Sequence, residues 1–192
     1  MFSNIANQLT LLRILLIPLF VLSYYSGWGY WAFFISAAVF GAAAITDWAD
    51  GYIARKYDLA TKFGAFLDPV ADKLMVAVAL ALLIQTHNDM WFTLPASVII
   101  CREIVISALR EWMAEIGARA NVKVSTLGKV KTTFQIIAIL VVMVFPPIYT
   151  NKLVLFLNGV GYLALYIAAG LTLWSMIIYL KAAWPSLRDE SE

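Results

Sequence analysis

TDWADGYIARKYDLATKFGAFLDPVADK, residues 46–73, places five aspartates between two long apolar runs. The chain as a whole is 62% hydrophobic and only 14% charged, with a formal net charge of +2. This composition is unusual for a soluble domain and typical of a protein embedded in a membrane. Carboxylates near hydrocarbon are energetically unfavourable and usually mark a functional site, so this stretch is predicted to contain one.

The apolar runs on either side of this stretch are long enough to cross a bilayer, which requires about 20 mainly apolar residues. Their connectors are short, and the sequence has no internal repeat or long linker. The sequence therefore predicts an all-α polytopic membrane protein that forms a single domain over residues 1–192. Six transmembrane helices are predicted, at residues 12–27, 30–55, 64–85, 92–117, 127–147 and 152–183.

The start of the chain is more polar than the first predicted span. The segment NIANQLTLLR, residues 4–13, spaces Ile5, Leu9, Leu12 and Arg13 as one face of a helix. We predict a short N-terminal interfacial amphipathic helix here, lying on the cytoplasmic membrane surface. The alternative is that these residues are a frayed start of the first span.

The distribution of Lys and Arg predicts the orientation, because short basic loops stay on the cytoplasmic side of a membrane. Loops at the opposite set of helix ends contain a single lysine, Lys152. Both termini are therefore predicted to be cytoplasmic. The basic residues near the cytoplasmic ends are Arg13, Arg55, Lys56, Lys62, Arg110, Arg119, Lys123, Lys129, Lys131, Lys181 and Arg188.

The chain contains one cysteine, Cys101, and one histidine, His87. These counts exclude a disulfide framework, a cysteine–histidine catalytic pair and a zinc site built from such ligands. We expect Cys101 to be a small buried residue and His87 to lie in a solvated outward loop, neither with a functional role.

The aspartates fall into two pairs. Asp47 and Asp50 lie three residues apart near the end of the second predicted helix, and Asp68 and Asp72 lie four apart near the start of the third. Residues at these spacings share a helix face. Since a short connection joins the two helices, we expect antiparallel neighbours with the pairs facing each other. Four facing carboxylates repel, and two hard divalent cations such as Mg²⁺ would compensate their charge and assist phosphoryl transfer.

Small residues accompany the aspartates. Gly51, Ala54 and Gly64 would let a bulky ligand approach the backbone, and Arg55 lies one turn beyond Gly51, suited to hold a phosphate. The alternative is structural, with the aspartates merely paired to nearby Arg or Lys side chains. Because a buried ion pair is weak evidence of stability, four acids grouped around glycines favour a ligand site.

These residues also form a known pattern. DWADGYIAR at 47–55, then eight residues, then GAFLDPVAD at 64–72 resembles without a gap the D-x-x-D-G-x-x-A-R-x8-G-x-x-x-D-x-x-x-D signature of the CDP-alcohol phosphatidyltransferase family. Six spans and an amphipathic start extend the resemblance over essentially the whole chain. The resemblance implies two Mg²⁺ or Mn²⁺ ions and two catalytic residues, Asp68 and Asp72, with Asp72 as general base. The implied metal ligands are Asp47, Asp50, Asp68 and Asp72. The implied contacts to the CDP-bearing donor are Asp50, Gly51, Ala54, Arg55 and Gly64.

The chemical nature of the acceptor is predicted from the second half of the chain. Residues 101–133, CREIVISALREWMAEIGARANVKVSTLGKVKTT, gather many cations, which a phosphorylated acceptor needs more than a neutral one. The parts REI, LRE and VSTLGKVKT also resemble the branch of the family whose acceptor is sn-glycerol 3-phosphate. We predict acceptor-phosphate contacts from Arg102, Arg110, Lys129 and Lys131, with Glu103 pointing away from Arg102. The alternative for the cations is attraction to anionic lipid headgroups.

The sequence thus predicts a bacterial inner-membrane enzyme that transfers the phosphatidyl group of CDP-diacylglycerol to sn-glycerol 3-phosphate. Its partners are these substrates and membrane lipids, with no nucleic acid. The family resemblance implies a homodimer, although the small residues of LNGVGYLALYIAAG, residues 157–170, would also pack within one chain. Three alternatives remain: a family member with another acceptor (a cardiolipin, phosphatidylinositol phosphate or phosphatidylserine synthase), an intramembrane prenyltransferase, and a divalent-cation channel or carrier.

Overall fold

The computed structural model describes residues 5–57, 62–116, 126–149 and 151–189. Within these ranges every regular element is an α-helix, which confirms the predicted all-α class. The side chains of five predicted site residues lie outside the description: Asp50, Gly51, Ala54, Arg55 and Lys129. The helices are α1 (Ile5–Tyr24), α2 (Tyr30–Tyr57), α3 (Lys62–His87), α4 (Met90–Glu115), α5 (Thr126–Val144) and α6 (Lys152–Asp189).

The first helix differs from its prediction. α1 runs without a break from Ile5 to Tyr24, so the separate interfacial helix that we predicted is wrong for the described residues. The segment before Pro18 contains neither glycine nor proline, and nothing in it ends the helix. The polar residues at the start are therefore the first turns of α1.

Among the residues that the structure describes, three helices are long and apolar enough to cross a membrane, judged by length and composition. These segments are Tyr30–Asp47, Met90–Glu115 and Lys152–Trp184. Shorter apolar segments occur at Thr10–Tyr24 and Val130–Val144. Many large apolar side chains point outward, as expected of a surface that faces lipid tails rather than water. They include Leu15, Leu22, Trp31, Ile104, Phe156 and Trp174.

The helices pack as a closed ring in the order α1, α2, α5, α6, α4, α3. The centre of the ring is filled by fully buried aliphatic and aromatic side chains, including Phe20, Phe40, Leu83, Ile99 and Leu165. α1 packs against both α2 and α3, whereas α2 and α3 contact each other only over a short stretch. The two aspartate helices are thus held together largely through α1, a role that the sequence pattern did not predict.

The expectations for His87 and Cys101 were both wrong. His87 is the last residue of α3 and is buried, with its ring stacked on Phe92 at a centroid distance of 4.2 Å. Its Nδ1 lies 3.0 Å from the carbonyl oxygen of Leu83, and the Asn158 amide lies 3.2 Å from its Nε2. These contacts draw the ring out of solvent. Cys101 lies on an exposed face of α4, where a thiol is apolar enough for lipid surroundings.

Gly161 lets α6 pack closely on α5. A Cβ built at this position would lie 2.6 Å from Val142 Cγ1 and 3.3 Å from the Val142 backbone nitrogen. Gly159, two residues earlier, would place its Cβ in open space. At least part of the small-residue run in α6 therefore serves packing within one chain.

This contrast gives a stability prediction. Gly161→Ala should lower the free energy of unfolding by about 1–3 kcal/mol, because a new methyl group must push Val142 and its backbone aside. Gly159→Ala is the matched control and should leave stability unchanged or raise it slightly, since alanine favours helix. Thermal unfolding of the purified variants in detergent measures both. Equal midpoints for the two variants would contradict the proposed packing.

Candidate active site

Arg13 of α1 lies between carboxylates of α2 and α3. Its Nη1 donates a hydrogen bond to Asp72 Oδ1 at 2.5 Å and forms an ion pair with Asp47 Oδ1 at 3.0 Å. The arginine side chain is 1% exposed, while the two carboxylate side chains are 44% and 42% exposed. One turn earlier in α1, the Thr10 hydroxyl donates to Asp68 Oδ1. A single helix face therefore contacts three of the four signature aspartates.

A cavity of about 80 Å³ lies beside this cluster. Asp47, Asp72 and Arg13 line it together with Thr132 of α5, and its other walls are apolar side chains, namely Phe40, Ala43, Ala44, Met75, Val76 and Ile136. The volume suits ions, waters or a phosphate group rather than a whole nucleotide. The carboxylates, Arg13 and Thr132 thus form a polar edge of a small, otherwise apolar space.

The donor set can be tested for a metal. Among the side chains that the structure describes, no three from the Asp, Glu, His and Cys types are grouped closely enough to hold a metal ion. The fourth signature aspartate, Asp50, is not one of those side chains. The described donors are all carboxylate oxygens, which suit Mg²⁺ or Mn²⁺. One guanidinium shared by Asp47 and Asp72 leaves negative charge at the cavity that a divalent cation would compensate.

The residues predicted to contact the CDP part of the donor lie on the same two helices. Gly64 is buried near the start of α3, one turn before Asp68. The α2 backbone continues helically past Asp47 to Tyr57, which places Gly51 and Arg55 one and two turns beyond Asp47. The backbone of α2 thus has the helical spacing that these donor contacts require, and the contacts themselves remain predictions.

A second polar group joins α4, α5 and α6, and we call it the basic cluster. It consists of Arg102, Glu103, Arg110, Lys131, Ser175 and Tyr179. Glu103 accepts hydrogen bonds from Lys131 and, at 3.2 Å, from Arg102 Nη1. Our expectation that Glu103 points away from Arg102 was wrong, because both side chains are long enough to bend across the angle between adjacent helical positions.

The two arginines of the basic cluster are fixed by α6. Arg102 Nη2 donates to Ser175 Oγ at 2.8 Å, and Arg110 Nη2 donates to the Tyr179 hydroxyl at 2.9 Å. Arg102 is only 6% exposed, whereas Arg110 is an exposed residue. The structure therefore brings together three of the four cations predicted to contact the acceptor phosphate.

The basic cluster adjoins the aspartate cavity. Lys131 is followed in α5 by Thr132, which lines that cavity. Lys73, next to Asp72 in α3, is close enough to Glu103 to interact with it electrostatically. Within the cluster, three cations face one carboxylate, so that its described side chains carry an excess of two positive charges. An excess of this size complements the charge of a phosphate monoester.

Several residues of these two groups were missed by the sequence analysis as site residues. Arg13 carried a usable signal, because a cation in the apolar run LTLLRILLIP needs a partner. Thr10, Ser175 and Tyr179 carried none, since hydroxyl side chains at such positions are ordinary in membrane helices.

Comparison with known proteins places the chain in a family. The model of the family described as CDP-alcohol phosphatidyltransferase matches residues 3–176. A Pseudomonas fluorescens protein named CDP-diacylglycerol--glycerol-3-phosphate 3-phosphatidyltransferase is 53% identical over 188 residues, which cover 97% of this chain and 93% of the relative. A protein of the same name from Pectobacterium atrosepticum is 54% identical over 94% of this chain and 94% of its own length. Another from Salmonella typhi is 49% identical over 97% of this chain and 98% of its own length. The chain, with its paired aspartates and six helices, belongs to the CDP-alcohol phosphatidyltransferase family.

Proposed function

We propose that this protein transfers the phosphatidyl group of CDP-diacylglycerol to sn-glycerol 3-phosphate, giving phosphatidylglycerol phosphate and CMP. The names of the relatives support this reaction. The main structural support for this proposal is the position of the basic cluster, which adjoins the aspartate cavity. The cluster also contains more cations than carboxylates. A neutral acceptor such as inositol would offer these cations no charged partner, whereas the phosphate of glycerol 3-phosphate would.

On the donor side, the four aspartates Asp47, Asp50, Asp68 and Asp72 would hold two Mg²⁺ or Mn²⁺ ions. Bound there, such ions would offset the charge of the pyrophosphate and ease the departure of CMP. Arg13 keeps the Asp47 and Asp72 carboxylates at one cavity, and Thr10 orients Asp68. Arg55 would bind a donor phosphate from the last turns of α2.

On the acceptor side, Arg102, Arg110, Lys129 and Lys131 would bind the phosphate of glycerol 3-phosphate. Asp72 would then take the proton from the free 1-hydroxyl group as general base. That oxygen forms a bond to the lipid-side phosphorus while the bond from phosphorus to the CMP oxygen breaks. The proton remains on Asp72 until it is passed to water or to the departing CMP.

We further propose that all six helices span the inner membrane of a bacterium with both termini in the cytoplasm. Two observations support alternating directions: α1, α2 and α3 meet at Arg13, and the start of α5 meets α4 at Glu103. The basic residues collect at that same end, as the distribution of charge in bacterial membrane proteins requires. Accessibility of single introduced cysteines to a membrane-impermeant reagent in intact cells would test this orientation.

A homodimer is also proposed, on the family resemblance. α6 presents a row of exposed large apolar side chains that a second copy or lipid would cover, including Leu153, Phe156, Leu163, Trp174 and Ile177. Light scattering of the purified protein, corrected for bound detergent, would give the mass of one chain or of two.

The reaction is tested by CMP release from CDP-diacylglycerol by the purified protein in detergent with Mg²⁺. We expect release that depends on glycerol 3-phosphate and is absent with serine, inositol phosphate or phosphatidylglycerol. Parallel assays without acceptor and with EDTA measure background hydrolysis and metal dependence. Release with another of these acceptors would keep the family and overturn the acceptor. Failure of folded protein with every acceptor would leave the cation carrier, which a flux assay in liposomes would detect.

A further inference from the structure

Tyr179 is the point where the two arginines of α4 meet α6. The tyrosine is only 5% exposed, and its hydroxyl accepts a hydrogen bond from Arg110 Nη2 at 2.9 Å. The guanidinium carbons of Arg110 and Arg102 lie 5.1 Å and 5.6 Å from the centroid of its ring. One buried aromatic side chain thus contacts two cations, and Ser175, one helical turn away, binds Arg102 as well.

These contacts matter most for Arg110, because its side chain is exposed. An exposed arginine samples many rotamers, and binding an anion would require it to be fixed in one of them. The Tyr179 hydroxyl fixes one nitrogen of the guanidinium, and the ring face attracts its positive charge. A guanidinium has five N–H donors, so that the remaining ones stay available for a phosphate. Holding a binding group in place before the ligand arrives raises affinity without a new ligand contact.

We propose that Tyr179 is a positioning residue for acceptor binding, which presets Arg110 through its hydroxyl group and both arginines through its ring. This inference rests on the proposed function, since it takes Arg110 to be a contact of the acceptor phosphate. Tyr179 acts through the arginines and does not itself touch the reacting atoms. Replacing Tyr179 should therefore raise the KM for glycerol 3-phosphate, while the KM for CDP-diacylglycerol and the turnover number should stay unchanged.

The test compares Tyr179→Phe, Tyr179→Leu and Arg110→Gln with the unchanged enzyme by steady-state CMP release. Tyr179→Phe keeps the ring and loses the hydroxyl, and we expect the KM for glycerol 3-phosphate to rise about three- to tenfold, as for the loss of one ordinary hydrogen bond. Tyr179→Leu also loses the ring and should raise this KM further. The matched control is Tyr162→Phe, which removes a hydroxyl bonded to Asp89 at the other end of α6 and should leave both KM values unchanged.

A double variant separates positioning from general structure. If the hydroxyl acts through Arg110, adding Tyr179→Phe to Arg110→Gln should raise the KM for glycerol 3-phosphate no further. Additive effects, an unchanged KM in Tyr179→Phe, or equal rises in the KM for both substrates would overturn the inference. If Arg110→Gln leaves the KM for glycerol 3-phosphate unchanged, the proposed acceptor site is wrong. If Arg110→Gln raises this KM and Tyr179→Phe does not, only the role of Tyr179 is wrong.

Discussion

Asp72→Asn should reduce CMP release by about 10²- to 10⁴-fold, the usual effect of removing a general base. Asparagine has nearly the same shape as aspartate and can still accept a hydrogen bond from Arg13, but it cannot take the proton of the acceptor hydroxyl. The purified variant is assayed with saturating CDP-diacylglycerol, glycerol 3-phosphate and Mg²⁺. Glu115→Gln, which removes a carboxylate from an exposed position at the end of α4, is the control and should keep full activity.

Asp72 is proposed both as a base and as a metal ligand, and the metal concentration separates these roles. A lost ligand weakens metal binding, so that raising Mg²⁺ or Mn²⁺ would restore part of the activity. A lost base would not be restored in this way. Activity of Asp72→Asn within about tenfold of the unchanged enzyme would contradict the assignment of the base.

Arg13→Gln should destabilise the protein strongly in EDTA and much less in saturating Mg²⁺. Arg13 is buried and neutralises two carboxylates, and removing one member of such a group costs about 3 kcal/mol when, as here, solvent reaches its partners. For a chain of this size that corresponds to a fall of roughly 6–12 °C in the thermal midpoint. A divalent cation bound by the same carboxylates would replace the lost positive charge and stabilise the folded state by mass action.

The measurement is thermal unfolding in detergent, with EDTA or with Mg²⁺, and it does not depend on catalysis. Lys181→Gln removes a cation from an exposed position of α6 and serves as the control, with an unchanged midpoint in both buffers. An equal loss for Arg13→Gln in EDTA and in Mg²⁺ would show that the arginine only fills space. No loss in EDTA would contradict its role in holding Asp47 and Asp72 together.

The helices were predictable because the length of an apolar run is a property of the local sequence. Four of the six predicted spans begin and end within three residues of the helices found, and the last begins at the predicted residue but ends six residues later than predicted. The shared face of Asp68 and Asp72 was predictable for the same reason, since a spacing of four residues places two side chains on one side of a helix. The prediction of a separate helix before the first span was wrong because polar residues alone do not end a helix.

Contacts between distant parts of the chain were not predictable. Arg13 meets Asp72 across 59 residues, and Arg110 meets Tyr179 across 69. The apolar run around Arg13 indicated that its cation has a partner, but the excess of basic residues expected on the cytoplasmic side offered a simpler explanation, and nothing nearby showed that the partner is a carboxylate. Glu103 shows the limit of angular arguments, because a flexible side chain of several bonds can reach across the 100° between adjacent residues.

The packing order of the helices divides the reaction along the chain. The hydrogen bonds and ion pairs to Asp47, Asp68 and Asp72 described above come from α1, and the basic cluster is built by α4, α5 and α6. In the proposed reaction, activation of the nucleotide lipid and choice of the soluble alcohol would thus be encoded in separate halves of one polypeptide. Substitutions in the second half would then change the alcohol that is accepted, while the half that handles the donor stays the same.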